Sequence, residues 1–272
     1  MKTPFSVLMS LYIKEVPLYL EDCLKSLKQQ TLHADEIIIV LDGPISSDLQ
    51  TVLDKWVNQL PLNIYPQQRN QGLGKALNIG LEHCKHERVF RMDTDDICTP
   101  DRFEVQSKYL DLHPKIDILS CYISEFNITP NDSTSLRKVP ASENIKRYST
   151  FRNPINHMGV VFKKSKIIEA GGYKHLHFME DYYLWIRCIA KKYIIDNIEK
   201  PLIYARTGNG MLERRKGYKY IKSEYRLAKL KKVHLKISTL ECAISLIIRA
   251  APRLLSSKLL AAVYKKARLP IK

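Results

Sequence analysis

Two hydrophobic periods alternate along the first 125 residues of the chain. Phe5–Met9 is a short apolar run, and Leu20, Leu24 and Leu27 follow at helical spacing. Glu36–Leu41 (EIIIVL) is β-branched and nearly all apolar, as a strand buried on both faces requires. Leu49, Val52, Leu53 and Trp56 return to the helical period, Leu62–Tyr65 reads as a third strand, and Ala76, Leu77, Gly80, Leu81 and Cys84 as a third helix. Arg88–Met92 is a fourth strand that ends where an acidic cluster begins. Strand and helix in this alternation predict an open, mostly parallel α/β sheet of Rossmann-like type. Ligands of such sheets bind beyond the carboxyl ends of the strands, which marks Asp42 and Asp93–Asp96 as site candidates on topology alone.

The middle of the chain is less periodic. Ile116–Phe126 reads as a strand, Asn127–Ser135 as a polar turn, Asn153-Pro154 as a loop before the apolar Met158–Phe162, and Gly171-Gly172 as the stop of a short helix. Asp181–Lys192 carries a helical pattern.

Charge divides the chain at about residue 213. Residues 213–272 hold 17 Lys/Arg against three Glu, whereas the other 212 residues hold 27 basic and 25 acidic side chains. The organisation expected is therefore a near-neutral catalytic domain over 1–212 and a basic helical appendage over 213–272. In the appendage Leu240, Ile244, Ile247, Ile248 and Ala251 form one stripe, and Leu255, Leu259, Ala262 and Val263 a second beyond Pro252. Basic amphipathic helices suit an anionic bilayer surface; the alternative is that the apolar faces pack on the domain and the charge is a solvated face. No apolar run approaches the roughly 20 residues of a membrane-spanning helix. The six scattered cysteines lack a C-x-x-C pair, and no signal segment opens the chain, so reduced thiols in a cytoplasmic protein are expected. Clustered Lys/Arg alone can bind phosphate, but no nucleic-acid-reading module accompanies them and no nucleic-acid partner is expected.

Asp93, Asp95 and Asp96 lie within four positions, and three carboxylates so close repel one another. Their hard oxygens suit Mg²⁺ or Mn²⁺, which bind through one or two carboxylates plus substrate phosphates. The competing reading is a capped turn before a helix starting near Pro100. Asp42 is open in the same way, as a ligand contact or as a turn residue before Gly43. Two other nucleotide motifs are excluded: Gly72-Leu73-Gly74 lacks the third glycine of G-x-G-x-x-G, and Gly74-Lys75 has Arg69 where a P-loop needs its first glycine.

Three segments in order carry a resemblance. Asn70-Gln71-Gly72-Leu73-Gly74-Lys75-Ala76-Leu77-Asn78-Ile79-Gly80, Asp93-Thr94-Asp95-Asp96 followed by Pro100, Arg102 and Phe103, and Glu180-Asp181 followed by Leu184-Trp185-Ile186-Arg187 together resemble the motifs of family 2 glycosyltransferases, inverting enzymes of GT-A fold. The resemblance spans roughly residues 5–210. It departs from the family at Ser10-Leu11-Tyr12-Ile13, where only the Tyr is kept, and at Asp42-Gly43-Pro44, where a second acid is common. It implies that Asp93 and Asp95, with Asp96, serve a Mn²⁺ or Mg²⁺ ion and the donor's diphosphate, and that Asp42 contacts the base with Tyr12 packed near it. Arg69 and Lys75 would neutralise the diphosphate or contact base and ribose, although Lys75 also reads as a solvated helix charge. Asp181 would be the catalytic base, with Glu180 the runner-up; both also read as helix-start carboxylates. His157 falls in a segment near the acceptor or diphosphate, or is a structural histidine, and Tyr204 and Arg206 would lie on a donor-covering segment. His175 and His177 read as a loop pair.

Within the family the chain is similar to bacterial O-antigen transferases that add a sugar to GlcNAc-diphospho-undecaprenol. That likeness implies a UDP-sugar donor, glucose before galactose, a lipid-diphosphate acceptor, and a place on the inner face of the inner membrane. The enzymatic alternatives are a glycosyltransferase acting on another polysaccharide acceptor and a metal-dependent nucleotidyltransferase or hydrolase on a similar sheet.

Overall fold

A computed structural model describes residues 2–133, 135–207 and 217–254, and the backbone of 269–270. The stretch carrying the second predicted appendage stripe, Leu255 to Val263, lies outside the described residues, as does the predicted boundary at 212–213.

The strand-helix alternation appears as read. β1 (Phe5–Leu11), β2 (Glu36–Leu41), β3 (Leu62–Pro66) and β4 (Arg88–Arg91) are joined by α1 (Pro17–Lys28), α2 (Ser47–Trp56) and α3 (Leu73–His83). β3, β2, β1 and β4 lie side by side and all parallel. Leu20, Leu24 and Leu27 of α1, and Leu49, Leu53 and Trp56 of α2, pack under one face of this sheet, in a cluster with Phe5, Val7, Ile37, Ile39 and Phe90. α3 covers the other face. Gly80 is what lets α3 come so close: a Cβ there would stand 2.4 Å from Leu8 Cδ1 and 3.0 Å from Val40 Cγ2.

Beyond β4 the sheet is mixed. After the short β5 (Ile97–Cys98) and α4 (Arg102–Leu112) comes β6 (Ile118–Phe126). β7 (Ser135–Arg137) pairs antiparallel with its far half, and after α5 (Ile145–Phe151) strand β8 (Val161–Lys163) bridges β4 and the near half of β6, antiparallel to both. α6 (Lys164–Glu169), α7 (Glu180–Ala190) and β9 (Ile195–Arg206) complete this half. β9 runs parallel to the whole of β6, with a register shift at Cys121/Tyr122/Ile123, and pairs with β5.

The basic segment forms α8 (Gly217–Leu235) and α9 (Thr239–Ala250), and Leu269–Pro270 pairs with β7. Tyr220, Leu227 and Leu235 of α8 share an apolar cluster with Leu176, Met179, Tyr182 and Ile186, so α8 is docked on α7. α9 starts with a capping box in which Ser238 Oγ accepts from Glu241 N–H and the Glu241 carboxylate accepts from Ser238 N–H. Its polarity is inverted. Ser245 is fully buried, whereas Leu240 is 70%, Ile247 65% and Ile248 50% exposed. Among the described residues no helix is long and apolar enough to cross a membrane.

Candidate active site

The three sequence motifs meet at one cavity of about 1160 Å³ above the carboxyl ends of β1, β2 and β4. Asp93, Thr94, Asp95, Lys75, Glu180, Asp181 and His157 all line it, with Tyr12 and Asp42.

The acidic loop is held from behind by two buried arginines. Arg91, 1% exposed, forms an ion pair with Asp93, and that carboxylate keeps the guanidinium protonated despite its burial. Arg102, in the motif position after Pro100, donates to Arg91 O at 2.8 Å and to Gln106 Oε1 at 3.1 Å, so its part is to fix the strand end. Arg206, at the end of β9, closes the far side of the loop. Its backbone N–H donates to Asp96 Oδ1 at 2.9 Å, and its guanidinium donates to Asp95 O, Ile128 O and Asp22 while lying between the rings of Tyr19 and Phe126.

Carboxylate oxygens of Asp93, Asp95 and Asp96 lie within 4.8 Å of one another. Burial first, and then the neighbouring charges, raise the pKa values of Asp95 and Asp96 above the usual carboxylate range, making both weaker acids. Asp96 Oδ2 is buried with no hydrogen-bond partner among the described residues. An all-oxygen set whose mutual repulsion a cation would relieve fits Mg²⁺ or Mn²⁺. Within it Asp96 faces inward, while Asp93 and Asp95 reach the cavity.

Asp42 is buried and both its oxygens are used: Oδ1 accepts from Gln71 N–H at 2.7 Å and Oδ2 from Gly72 N–H at 2.9 Å. The side chain therefore clamps the loop into α3. Gly43 takes φ +91, and a Cβ there would meet Asn70 N at 2.7 Å, so this close turn needs a glycine. Tyr12 is exposed on the cavity rim, Lys75 is exposed within it, and Arg69 is exposed but does not line it.

Glu180 and Asp181 open α7, where the helix dipole favours negative charge. Asp181 Oδ2 accepts from Asn153 Nδ2 at 2.8 Å. Glu180 packs against the start of α3, its Cγ 3.2 Å from where a Gly74 Cβ would be, and burial raises its pKa above the ordinary carboxylate value. His175 Nδ1 stands 3.7 Å from Glu180 Oε1; His175 and His177 are both exposed on the cavity lining. His157 Nε2 is 2.9 Å from Tyr173 Oη, and burial holds its basicity well below the ordinary value, so the ring is neutral.

The other motif residues are scaffold. Asn78 Nδ2 donates to Tyr173 O while its Oδ1 accepts from Tyr173 N–H, which seats the Gly171-Gly172 turn on α3. Arg187 donates to Ala170 O and Gly172 O, tying α7 to the same turn. Arg91, Asn153, Tyr173 and Glu15, whose Oε2 accepts from Thr94 Oγ1 at 2.5 Å, are site residues that the sequence reading missed. Arg91, at the end of an expected strand beside Asp93, is the one a sequence signal could have found.

A mixed α/β sheet with its acidic loop beyond β4 is the architecture of a GT-A glycosyltransferase. The model of "Glycosyl transferase family 2" matches residues 6–170, and the chain belongs to that family. It is 45% identical over 265 residues, 97% of this chain and 99% of the relative, to the amylovoran biosynthesis glycosyltransferase AmsE of Erwinia amylovora. It is 38% identical over 266 residues, covering 96% of the chain and 95% of the relative, to the UDP-Gal:alpha-D-GlcNAc-diphosphoundecaprenol beta-1,3-galactosyltransferase of Escherichia coli. S. aureus TarS 1-349 in complex with UDP-GlcNAc has a similar fold, with TM-score 0.67 and 19% identity over 90% of this chain and 70% of that one. So does the mannosyltransferase PcManGT from Pyrobaculum calidifontis in complex with GDP-Man and Mn2+, with TM-score 0.59, 18% identity and coverage of 98% and 80%.

Proposed function

We propose that the chain is an inverting hexosyltransferase of surface-polysaccharide assembly, moving glucose or galactose from a UDP-sugar to a GlcNAc-diphospho-lipid. The observation that carries the reading is that one cavity joins Asp93 and Asp95 to Asp181, which Asn153 holds in place. The family and the galactosyltransferase relative support the donor and acceptor classes.

Asp93 and Asp95 would hold Mn²⁺ or Mg²⁺, which as a Lewis acid stabilises charge on the departing diphosphate. Arg91 fixes Asp93 for that task, and Lys75 adds a positive charge on the same wall. Asp181 takes the proton of the acceptor hydroxyl as that oxygen attacks the anomeric carbon. Asn153 engages one of its oxygens and the helix start favours its charge, so the base is oriented before the acceptor arrives. A single displacement from the face opposite the diphosphate inverts the centre, so an α-linked donor gives a β-glycoside.

The same reading puts the protein peripherally on an anionic membrane, the inner face of a bacterial inner membrane. Its support is the inverted α9, which turns Leu240, Ile244, Ile247 and Ile248 outward within a strongly basic segment. An apolar face flanked by cations matches a bilayer with anionic headgroups.

The test is a screen of UDP-glucose and UDP-galactose with a synthetic GlcNAc-diphospho-lipid, with Mn²⁺ or Mg²⁺ and with chelator, followed by assignment of the product's anomeric configuration. Asp181→Asn is expected to lose transfer by on the order of a hundredfold or more while still binding UDP-sugar. Full transfer by that variant would remove Asp181 from the role, and pyrophosphate release would favour a nucleotidyltransferase.

A further inference from the structure

The reaction proposed above brings two diphosphates to one cavity, whose lining is mixed in charge on one side of the sheet and basic on the other. β1 and β2, which lead to Tyr12 and Asp42, lie on one side of β4; β6 with β7 lies on the other. On that second side the lining is basic, with Arg137, Lys138 and Arg152.

These residues come from two segments, Arg137-Lys138 at the end of β7 and Arg152 after α5, that the fold ties together. Asn156 Nδ2 donates to Arg137 O at 3.3 Å, and Asn197 Nδ2 donates to Pro140 O and Pro154 O at 2.7 and 3.1 Å. The segment following β7 is thereby fixed to the loop that begins at Arg152 and carries Asn153, the partner of Asp181. Arg152 is exposed and forms no ion pair among the described residues, and the Lys138 ammonium stands 5.7 Å from the Tyr122 ring centroid. From the C-terminal helices Ile248 and Pro252 reach the same cavity, and the outer face of α9 continues from them as exposed apolar surface.

We propose that Arg137, Lys138 and Arg152 form the subsite for the acceptor's diphosphate. The acceptor's sugar then points to Asp181, and its lipid leaves past Ile248 and Pro252 along α9. The inference rests on the acceptor class proposed above. The two diphosphates are neutralised by different means. At Asp93 and Asp95 the protein is negative, so a phosphate needs an intervening cation there. At Arg152 and Lys138 the protein supplies the positive charge itself, through charge-assisted hydrogen bonds. The arrangement distinguishes donor from acceptor by how each diphosphate is neutralised, through a cation at Asp93 and Asp95 and through side-chain cations at Lys138 and Arg152.

The experiment compares two acceptors, GlcNAc-diphospho-alkyl and GlcNAc-alkyl without phosphate, in the full-length wild-type protein and in the double variant Lys138→Gln/Arg152→Gln. The double variant is expected to raise KM for the diphosphate acceptor by about tenfold or more. KM for the UDP-sugar and for the uncharged acceptor is expected to stay at the wild-type value. The conservative pair Lys138→Arg/Arg152→Lys should keep most of the wild-type preference for the diphosphate, which separates charge recognition from damage to the fold. An unchanged diphosphate KM in the double variant would overturn the subsite. Equal use of the two acceptors by the wild type would also overturn it while leaving the transferase reading intact. Transfer to neither acceptor would sink both.

Discussion

The acidic loop beyond β4 and the C-terminal pair α8–α9 bury charge in opposite ways. At the loop, charge is gathered around a functional surface: Arg91 and Arg102 stand behind Asp93 and the strand end, and the carboxylates of Asp93 and Asp95 face the cavity. In the helix pair, charge is spent on internal cohesion. Glu224, 2% exposed, accepts from Arg249 Nε and Nη2 at 2.6 and 2.9 Å, and Lys231, 1% exposed, donates to Thr150 O and Ser245 Oγ. The polar side of α9 thus faces protein and the apolar side faces out. An ordinary surface helix does the reverse. The inversion follows from the partners offered: α8 presents the Glu224 carboxylate and α5 the Thr150 carbonyl, and the polar side of α9 meets them through Arg249 and Ser245. The lesson is that charge on a segment does not say which way the segment faces.

The sharpest break of this comparison is Glu224→Ala. It strips the acid from between Arg249 and Arg253, and leaving buried cations uncompensated costs about 3–5 kcal/mol. Hydrogen exchange should show α8 and α9 opening, with β1 to β4 still protected; equal protection of the helices would refute the cohesive role of the pair. A smaller effect is expected from Ile244→Glu/Ile247→Glu. Both side chains are exposed, so stability should move by no more than about 0.5 kcal/mol per site. Binding to vesicles containing anionic lipid should fall by about tenfold or more, because a buried apolar side chain contributes about 1.5–3 kcal/mol. Wild-type vesicle affinity in this double variant would mean that α9 does not face the bilayer.

How far the chain could be read in advance follows the same divide. β1 to β4 and α1 to α3 were legible because each buries a face whose period appears in its own residues. The motif residues were legible as a set, but not the division among them. Asn78, Arg102 and Arg187 stand in the motifs, yet Asn78 and Arg187 hold backbone groups of the turn at 170–173 and Arg102 holds Arg91 O and Gln106. Asp42 reads as a ligand contact or as a turn residue, and in the fold both its oxygens hold the loop at Gln71 and Gly72. β9 was missed because Asp196-Asn197 and Glu199-Lys200-Pro201 interrupt its apolar positions; its pairing with β6 tolerates the proline through the register shift. Asn153 and Tyr173 have no local signal, since their roles depend on contacts with Asp181 and His157. In α9 the apolar stripe was plain, but its direction depends on Glu224 and Thr150, which no period within the helix contains.

Lys231 gives the finest test of inward-facing charge. Burial, and then the nearby Arg249, push its ammonium down to about 6 from the ordinary 10.5. The folded protein therefore holds Lys231 neutral through the window from pH 6 to pH 10.5, where the unfolded chain holds it protonated. The unfolded state binds more protons there, so stability rises with pH across that window, by about 1.4 kcal/mol per unit from this residue alone. Lys231→Met removes the titration. Thr150 O keeps a donor, because Ser245 Oγ reaches it at 2.7 Å. The thermal midpoint of the wild type should climb between pH 6 and pH 9, and that of the variant should climb less and start higher. Parallel curves for the two proteins would show that Lys231 keeps its proton on folding, with Glu224 answering for it as well as for Arg249. The helix pair would then resemble the acidic loop after all, as a cluster of charges held together by their opposites.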